Sequence, residues 1–352
     1  MVKGFLRRRT RTRDNNCHSA QQQLSWITRL LRWFITLDQV AESTNNYESM
    51  TNVTNYMFFI GGRLRTVTNT KFLSALVLML VTIPMVLFSI FETQRLWHSD
   101  YGYKVLVVFF YYFWTLCFVS FIKTATTDPG VLPRNVHVPS VENDYEIPQE
   151  YYNMITLPTK NPLIANIEVK YCTTCRIWRP PRASHCSTCE ACIITHDHHC
   201  KWVNNCIGQR NYHYFFTFLV SCVIATAFII ANCAIHVSRS VHAKDAPVAI
   251  LLLIYCGLVV CYPFILLVYH IFLTGSQQTT REYLKSIGSK NPIFHKISSS
   301  QDNPFQKGSF LANMFSLILE PRGLSMVSAR KKHSTGDWRF INLPQPHSFK
   351  KV

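Results

Sequence analysis

The chain has 352 residues, 48 % of them hydrophobic and only 16 % charged, with 36 Lys and Arg against 19 Asp and Glu for a formal charge of +17. That length could hold two ordinary soluble domains, but the apolar residues come in long blocks, which points instead to a membrane. The basic residues gather beside those blocks, where anionic headgroups are their counterions, so a nucleic-acid binder is set aside.

Residues 1–70 form a cytosolic tail that opens with the basic MVKGFLRRRTRTR. Over 24–37, LSWITRLLRWFITL mixes Trp and Leu with two Arg, which suits a helix lying in the bilayer interface or a short helix packed on the protein itself. YMFFIGGRLRTVTNTK then leads into the first span, with a break at Gly61-Gly62. Four apolar runs follow, over 72–91, 105–122, 215–237 and 250–273, none holding Asp, Glu, Lys or Arg. At about 1.5 Å per residue each is long enough to cross a hydrocarbon core of roughly 30 Å. Their lack of intramembrane charge argues against a channel or transporter. Pro84 and Pro263 fall inside two of them, which membrane helices tolerate. Ten basic residues precede Lys71, nine lie in 123–214 and twelve follow the fourth run, while the connections 92–104 and 238–249 hold two each. By the positive-inside rule both termini and the long middle loop are cytosolic.

Seven of the thirteen cysteines lie between Cys172 and Cys206, in a loop so placed in reducing cytosol, where metal binding is a better reading than disulfides. With His185, His196, His198 and His199 the loop offers eleven soft or borderline ligands. A structural zinc takes four, so two zincs are the economical solution. In extended backbone, neighbours project to opposite sides, which assigns His185 and Cys186 to different metals and separates His199 from His198 and Cys200. If His199 and Cys206 are ligands, His196, His198 and Cys200 are left over. A free cysteine with a histidine two residues before it is an arrangement for nucleophilic catalysis, although a purely structural zinc module with a spare cysteine has the same spacing.

The segment Cys172 to Cys206, with its Asp197-His198-His199-Cys200 core and the following Trp202-Val203-Asn204-Asn205-Cys206, resembles the cysteine-rich domain of the DHHC protein S-acyltransferases, or palmitoyltransferases. Asp128-Pro129-Gly130 resembles the family's DPG motif, Thr279-Thr280-Arg281-Glu282 its TTxE motif, and Asn303 to Asn313 its C-terminal conserved segment. Within the family, FFIGGRLRTVTNTKF and the ending ILEPRG are most like the fungal Ras palmitoyltransferase catalytic subunits. Two departures stand out: Lys201 where Pro or another uncharged residue is frequent, and Ser184 where a second histidine is frequent.

The resemblance implies an all-α integral membrane protein with four transmembrane helices, 71–122 carrying the first pair and 215–273 the second. Between them the 123–214 loop would carry a zinc-binding domain over about 170–214, and 274–352 would be a cytosolic C-terminal region. It implies two structural zincs, one on Cys172, Cys175, His185 and Cys192, the other on Cys186, Cys189, His199 and Cys206. It implies that Cys200 takes a palmitoyl-type chain from acyl-CoA and passes it to cysteines of membrane-associated, Ras-type proteins. His198 would be the base and Asp197 its partner. These two are neighbours, so the backbone must turn between them; on a straight strand Asp197 would instead reach His199. Trp202, Phe215 and Phe218 are expected to line the start of an acyl tunnel, with Ala225 near its end. Arg179 and Arg182 are expected to donate to CoA phosphates. Thr280 is expected to bond the Asp197 region and Asn303 to tie the C-terminal segment to the helices. A small accessory subunit and an endoplasmic reticulum membrane are implied by the same likeness. The competing class is a membrane adaptor with a non-catalytic zinc module, which would have no need of Cys200.

Overall fold

A computed structural model of the protein describes residues 35–36, 53–60, 62–68, 73–98, 103–138, 147–158, 167–288, 303–319, 322–323 and 325–326. Its scaffold is helical. α1 (Leu73–Phe91) and the short α2 (Thr93–Trp97) are followed by α3 (Lys104–Thr126), and after the cysteine-rich segment by α4 (Tyr212–Arg239), α5 (Pro247–Val259) and α6 (Cys261–Gly275). Counting α5 and α6 together, four helical segments among the described residues are long and apolar enough to cross a membrane. The fourth does not run straight through 250–273 as the sequence suggested. It breaks at Val260, because the Pro263 ring lacks an N–H and would clash with the carbonyl four residues earlier.

The helices pack around two apolar clusters. At the end away from the cysteine-rich segment, Phe88, Val107, Phe110, Ile229, Cys233, Leu252 and Cys256 are buried together. There the buried Glu92 accepts from His236 Nδ1 at 2.6 Å, and Arg95 reaches the other ring nitrogen of that histidine. At the other end Phe121, Phe215, Phe218, Leu219 and Leu267 surround Cys200.

The soluble part is built from short antiparallel hairpins: β4 (Ile155–Leu157) with β5 (Ile167–Val169), β6 (Tyr171–Cys172) with β7 (Ile177–Trp178), β8 (Ser184–Cys186) with β9 (Ala191–Ile193), and β10 (His198–Cys200) with β11 (Asn205–Ile207). Strands this short do not stand alone and need something to pin them. The segment before the first span is a further hairpin, β2 (Tyr56–Phe59) with β3 (Leu64–Val67), turning through Ile60 and Gly62 at positive φ. β1 (Ile35–Thr36) pairs with Phe58 and Phe59, so the end of the expected interfacial helix is a strand; the rest of 24–37 lies outside the described residues.

Two contacts seat the loop and the tail on the helices. Asp128 of the DPG turn accepts from the amides of Gly130 and Val131, each at 3.0 Å. Gly130 needs its φ of +110°, and a Cβ there would meet Ile194 at 2.5 Å. After α7 (Thr280–Gly288), α8 (Phe310–Leu319) folds back onto α6: Phe310 occupies the space a side chain at Gly275 would need, and Asn313 Nδ2 donates to the Gly275 carbonyl at 2.7 Å. Asn303 Nδ2 donates to the carbonyls of Ser276 and Gln277.

Candidate active site and metal centres

Strand alternation sorts the ligands. In β8, His185 and Cys186 point opposite ways, and the structure gathers Cys172, Cys175, His185 and Cys192 into one group and Cys186, Cys189, His199 and Cys206 into another, with the ligand atoms of each within 4.8 Å of one another. Each group uses a cross-strand His–Cys pair, His185 opposite Cys192 and His199 opposite Cys206. The donor set fits zinc. A tetrahedron with Zn–S near 2.3 Å has edges of roughly 3.8 Å. Here Cys189 and Cys206 sulfurs are 3.3 Å apart, with His199 Nδ1 at 3.4 Å and 3.6 Å from them, and in the other group His185 Nδ1 is 3.3 Å from Cys175 and 3.9 Å from Cys192. These cysteines are free thiols, not disulfides. His196 falls outside both groups: it is buried, and its Nε2 lies 3.6 Å from the Cys206 sulfur, beside a ligand without being one.

The same alternation in β10 turns His199 to the second group and His198 and Cys200 the other way. The backbone does turn before β10, with Thr195 at φ 45°, and His198 Nδ1 meets Asp197 Oδ2 at 2.6 Å. The alternative, Asp197 on His199, is not adopted. Asp197 is nearly fully buried, and both of its oxygens are engaged: the Thr280 amide donates to Oδ1 at 2.8 Å and the Thr280 hydroxyl to Oδ2 at 2.7 Å. Burial opposes ionisation of Asp197, but the hydrogen bond and charge of His198 outweigh it and hold the carboxyl below its usual range. Burial likewise works against a charged His198; Asp197 and then Cys200 overcome it and raise the imidazole to about 10. At neutral pH this geometry favours imidazolium paired with carboxylate beside the thiol.

Sequence reasoning missed the next layer. His270 is buried in α6, its ring 6.0 Å from that of His198 and 4.9 Å from that of Phe215, and its Nδ1 is 2.9 Å from the Tyr212 hydroxyl. A histidine inside an otherwise apolar run was the available signal. Asn205 donates to the carbonyls of Thr124 and Thr127, and Asn211 to that of Cys206, which fastens β11 to the end of α3.

Cys200 opens into an apolar cavity of about 350 Å³ between the helices, within the usual range for ligand pockets. Trp202, Phe215 and Phe218 line it near the cysteine, and Ala225, Ile229 and Cys256 lie farther in. Both expected phosphate donors, Arg179 and Arg182, line a second cavity, of about 330 Å³, with Lys170, Arg281, Glu282 and Lys285. Arg182 also ties the cysteine-rich segment to α7, its Nε and Nη2 each donating to Glu282 at 2.8 Å and its guanidinium stacked 4.5 Å over Phe305. Burial and the repulsion of neighbouring cations lower the pKa of Arg281 and of Lys285.

Comparison with known proteins bears on the same residues. A family model described as DHHC palmitoyltransferase matches residues 165–287. The chain is 55 % identical to Palmitoyltransferase ERF2 of Saccharomyces cerevisiae, over 98 % of each chain. It is 53 % identical to Palmitoyltransferase ERF2 of Eremothecium gossypii, over 96 % of this chain and 93 % of that one. To Palmitoyltransferase ERF2 of Kluyveromyces lactis it is 48 % identical over the full length of both.

Proposed function

The chain belongs to the DHHC palmitoyltransferase family and is a protein S-palmitoyltransferase, and on that premise we propose that Cys200 carries the acyl group in transit. One observation supports this most: of the seven loop cysteines, Cys200 alone lies outside both ligand groups, and it opens into the apolar cavity. The thiolate of Cys200 attacks the thioester carbonyl of palmitoyl-CoA, the C–S bond to CoA breaks, and CoA leaves as its thiol with the proton that His198 holds. A substrate thiol then gives its proton to His198 and attacks the Cys200 thioester as the thiolate, the C–S bond from the acyl carbon to Cys200 breaks, and the Cys200 thiolate is regenerated. Two zincs, held by these eight residues, would keep the hairpins in place, and with four protein ligands apiece they would have no open position for chemistry.

Asp197 acts through His198. Asp197→Asn is expected to lower the rate of acyl-enzyme formation by ~10²–10⁴ while two metals stay bound, because the imidazolium loses its 2.6 Å partner. His198 then titrates nearer ~6.5, the thiolate is supported less, and the acid limb of the rate profile moves to higher pH. Single-turnover labelling with a palmitoyl-CoA analogue, read before and after hydroxylamine, tests this; an unchanged rate in the variant would remove Asp197 from the mechanism.

The chain of the acyl group belongs in the 350 Å³ cavity. At about 0.8 kcal/mol per methylene, burying its fourteen methylenes there, rather than in water, is worth on the order of 11 kcal/mol. Ala225→Phe should fill the far part of the cavity and shift preference toward shorter chains, measured as the ratio of myristoyl to palmitoyl transfer. The CoA phosphates we assign to the cytosolic cavity of Arg179, Lys170, Arg281 and Lys285, where mutual repulsion favours a bound polyanion. By likeness to the fungal enzymes the acceptors are Ras-type proteins, the partner a small accessory subunit, and the site the cytosolic face of the endoplasmic reticulum, with both termini on that side.

A further inference from the structure

The β2–β3 hairpin lies before the first span, outside the matched 165–287 segment, yet it is built into the second ligand group. Tyr56, Phe58 and Val67 share one buried cluster with Cys186, Cys189 and Cys206. Asn55 fixes the register: its amide donates to the Cys189 carbonyl at 3.1 Å and its side chain to the Thr188 carbonyl at 2.9 Å. At the other strand, Asn204 Nδ2 donates to Thr66 Oγ1 at 2.8 Å and to the Val67 carbonyl at 2.9 Å, four residues beyond Cys200. Arg65, also buried, lies 3.4 Å from Asp128 of the DPG turn. The hairpin thus touches the metal loop, the turn after the nucleophile and the membrane exit of α3.

Within it the Tyr56 hydroxyl has no conventional partner. Tyr56 is 1 % exposed, and its hydroxyl has no hydrogen bond of full geometry. The groups it faces are the sulfurs of Cys189 and Cys206, with the Arg65 guanidinium 5.5 Å from its ring centre. A buried phenol without a partner is destabilising, so a nearby acceptor is expected. Three thiolates and one imidazole around a divalent ion leave a net negative site, which an outer hydrogen-bond donor stabilises.

We propose that Tyr56 is a positioning residue of the second metal centre, its O–H donating to the Cys189 thiolate, so that the segment before the first span is part of the catalytic unit. His196 stands beside another ligand of the centre, 3.6 Å from Cys206, and Tyr56 covers the side that faces the hairpin. Because β10 and β11 bring His199 and Cys206 to the metal and carry Cys200 on their other face, a looser centre loosens the nucleophile.

The test uses the full chain in detergent or nanodiscs, with cadmium exchanged into both sites. Tyr56→Phe keeps the ring and removes only the hydroxyl. It is expected to shift one of the two cadmium NMR resonances, leave the other in place, and raise the rate of metal loss to a chelator from one site by about tenfold. Tyr171→Phe removes a hydroxyl bonded to the His137 carbonyl at 2.9 Å, next to a ligand of the first group, and serves as the control that leaves the second resonance unmoved. Two unshifted resonances together with unchanged metal loss in Tyr56→Phe would overturn the proposal. Should Tyr56→Phe shift both resonances, Tyr56→Leu separates a packing effect from loss of the donor: shifts in the Leu variant no larger than those in Phe support the donor, and a larger disturbance of both centres in the Leu variant opposes it.

Discussion

Cys200→Ser is expected to leave a folded chain with two metals bound and to abolish the hydroxylamine-sensitive acyl adduct, with turnover falling by a factor on the order of 10⁴ or more. The two halves of that result come from the two faces of β10. Cys200 faces the cavity and contributes nothing to either ligand group, so its loss leaves the metal geometry alone. The replacement is nearly isosteric, and the hydroxyl can use the His198 side for a hydrogen bond, which limits its cost to about 1–2 kcal/mol. Chemically, however, an alcohol is not ionised by a histidinium neighbour, and a serine ester would resist hydroxylamine under conditions that cleave a thioester. Intact-protein mass spectrometry after incubation with palmitoyl-CoA reads both outcomes. Persistent labelling of the variant would direct attention to Cys117 or Cys222, the other thiols near the mouth and middle of the cavity, and would end the assignment of Cys200 as carrier.

How much of this was legible beforehand depended on the range of the interaction involved. The spans were legible from apolar length alone, and the division of ligands from the two-residue period of a strand: His185 against Cys186, and His199 against its two neighbours, follow from local geometry. The turn that joins Asp197 to His198 was expected as a condition but not visible as a fact, because it depends on Thr195 at positive φ and on Thr280, 83 residues away. Arg182 shows the limit. In the sequence it is one more cation beside a membrane; its commitment to Glu282 and Phe305 arises from segments 100 and more residues distant. The hairpin at 56–67 carried a strand-like alternation, with Tyr56 and Phe58 inward, but its closeness to the first span made Gly61-Gly62 look like a mere break. The split of the fourth span lay in Pro263, whose effect sequence could locate only to within a turn.

Cys189→Ser should do the opposite of Cys200→Ser: lose metal first, and activity as a consequence. Cys189 is fully buried, and its sulfur lies 3.3 Å from Cys206 and 3.4 Å from His199 Nδ1. A structural zinc contributes folding free energy on the order of 10 kcal/mol, and hairpins of two or three residues per strand have no other means of staying closed. Serine is a poor zinc ligand at neutral pH, so the second centre empties. The loss then spreads, because β8 and β9 serve both centres: His185 and Cys192 are cross-strand partners in the first, and Cys186 is the next residue along in the second. We therefore expect metal content to fall from two to fewer than one per chain, with the helices still formed by circular dichroism and the chain prone to aggregate. A monodisperse Cys189→Ser protein holding two metals would refute the ligand assignment. One that holds a single metal firmly would instead show that the centres are separable, and that the shared β8–β9 hairpin is stiffer than its length implies.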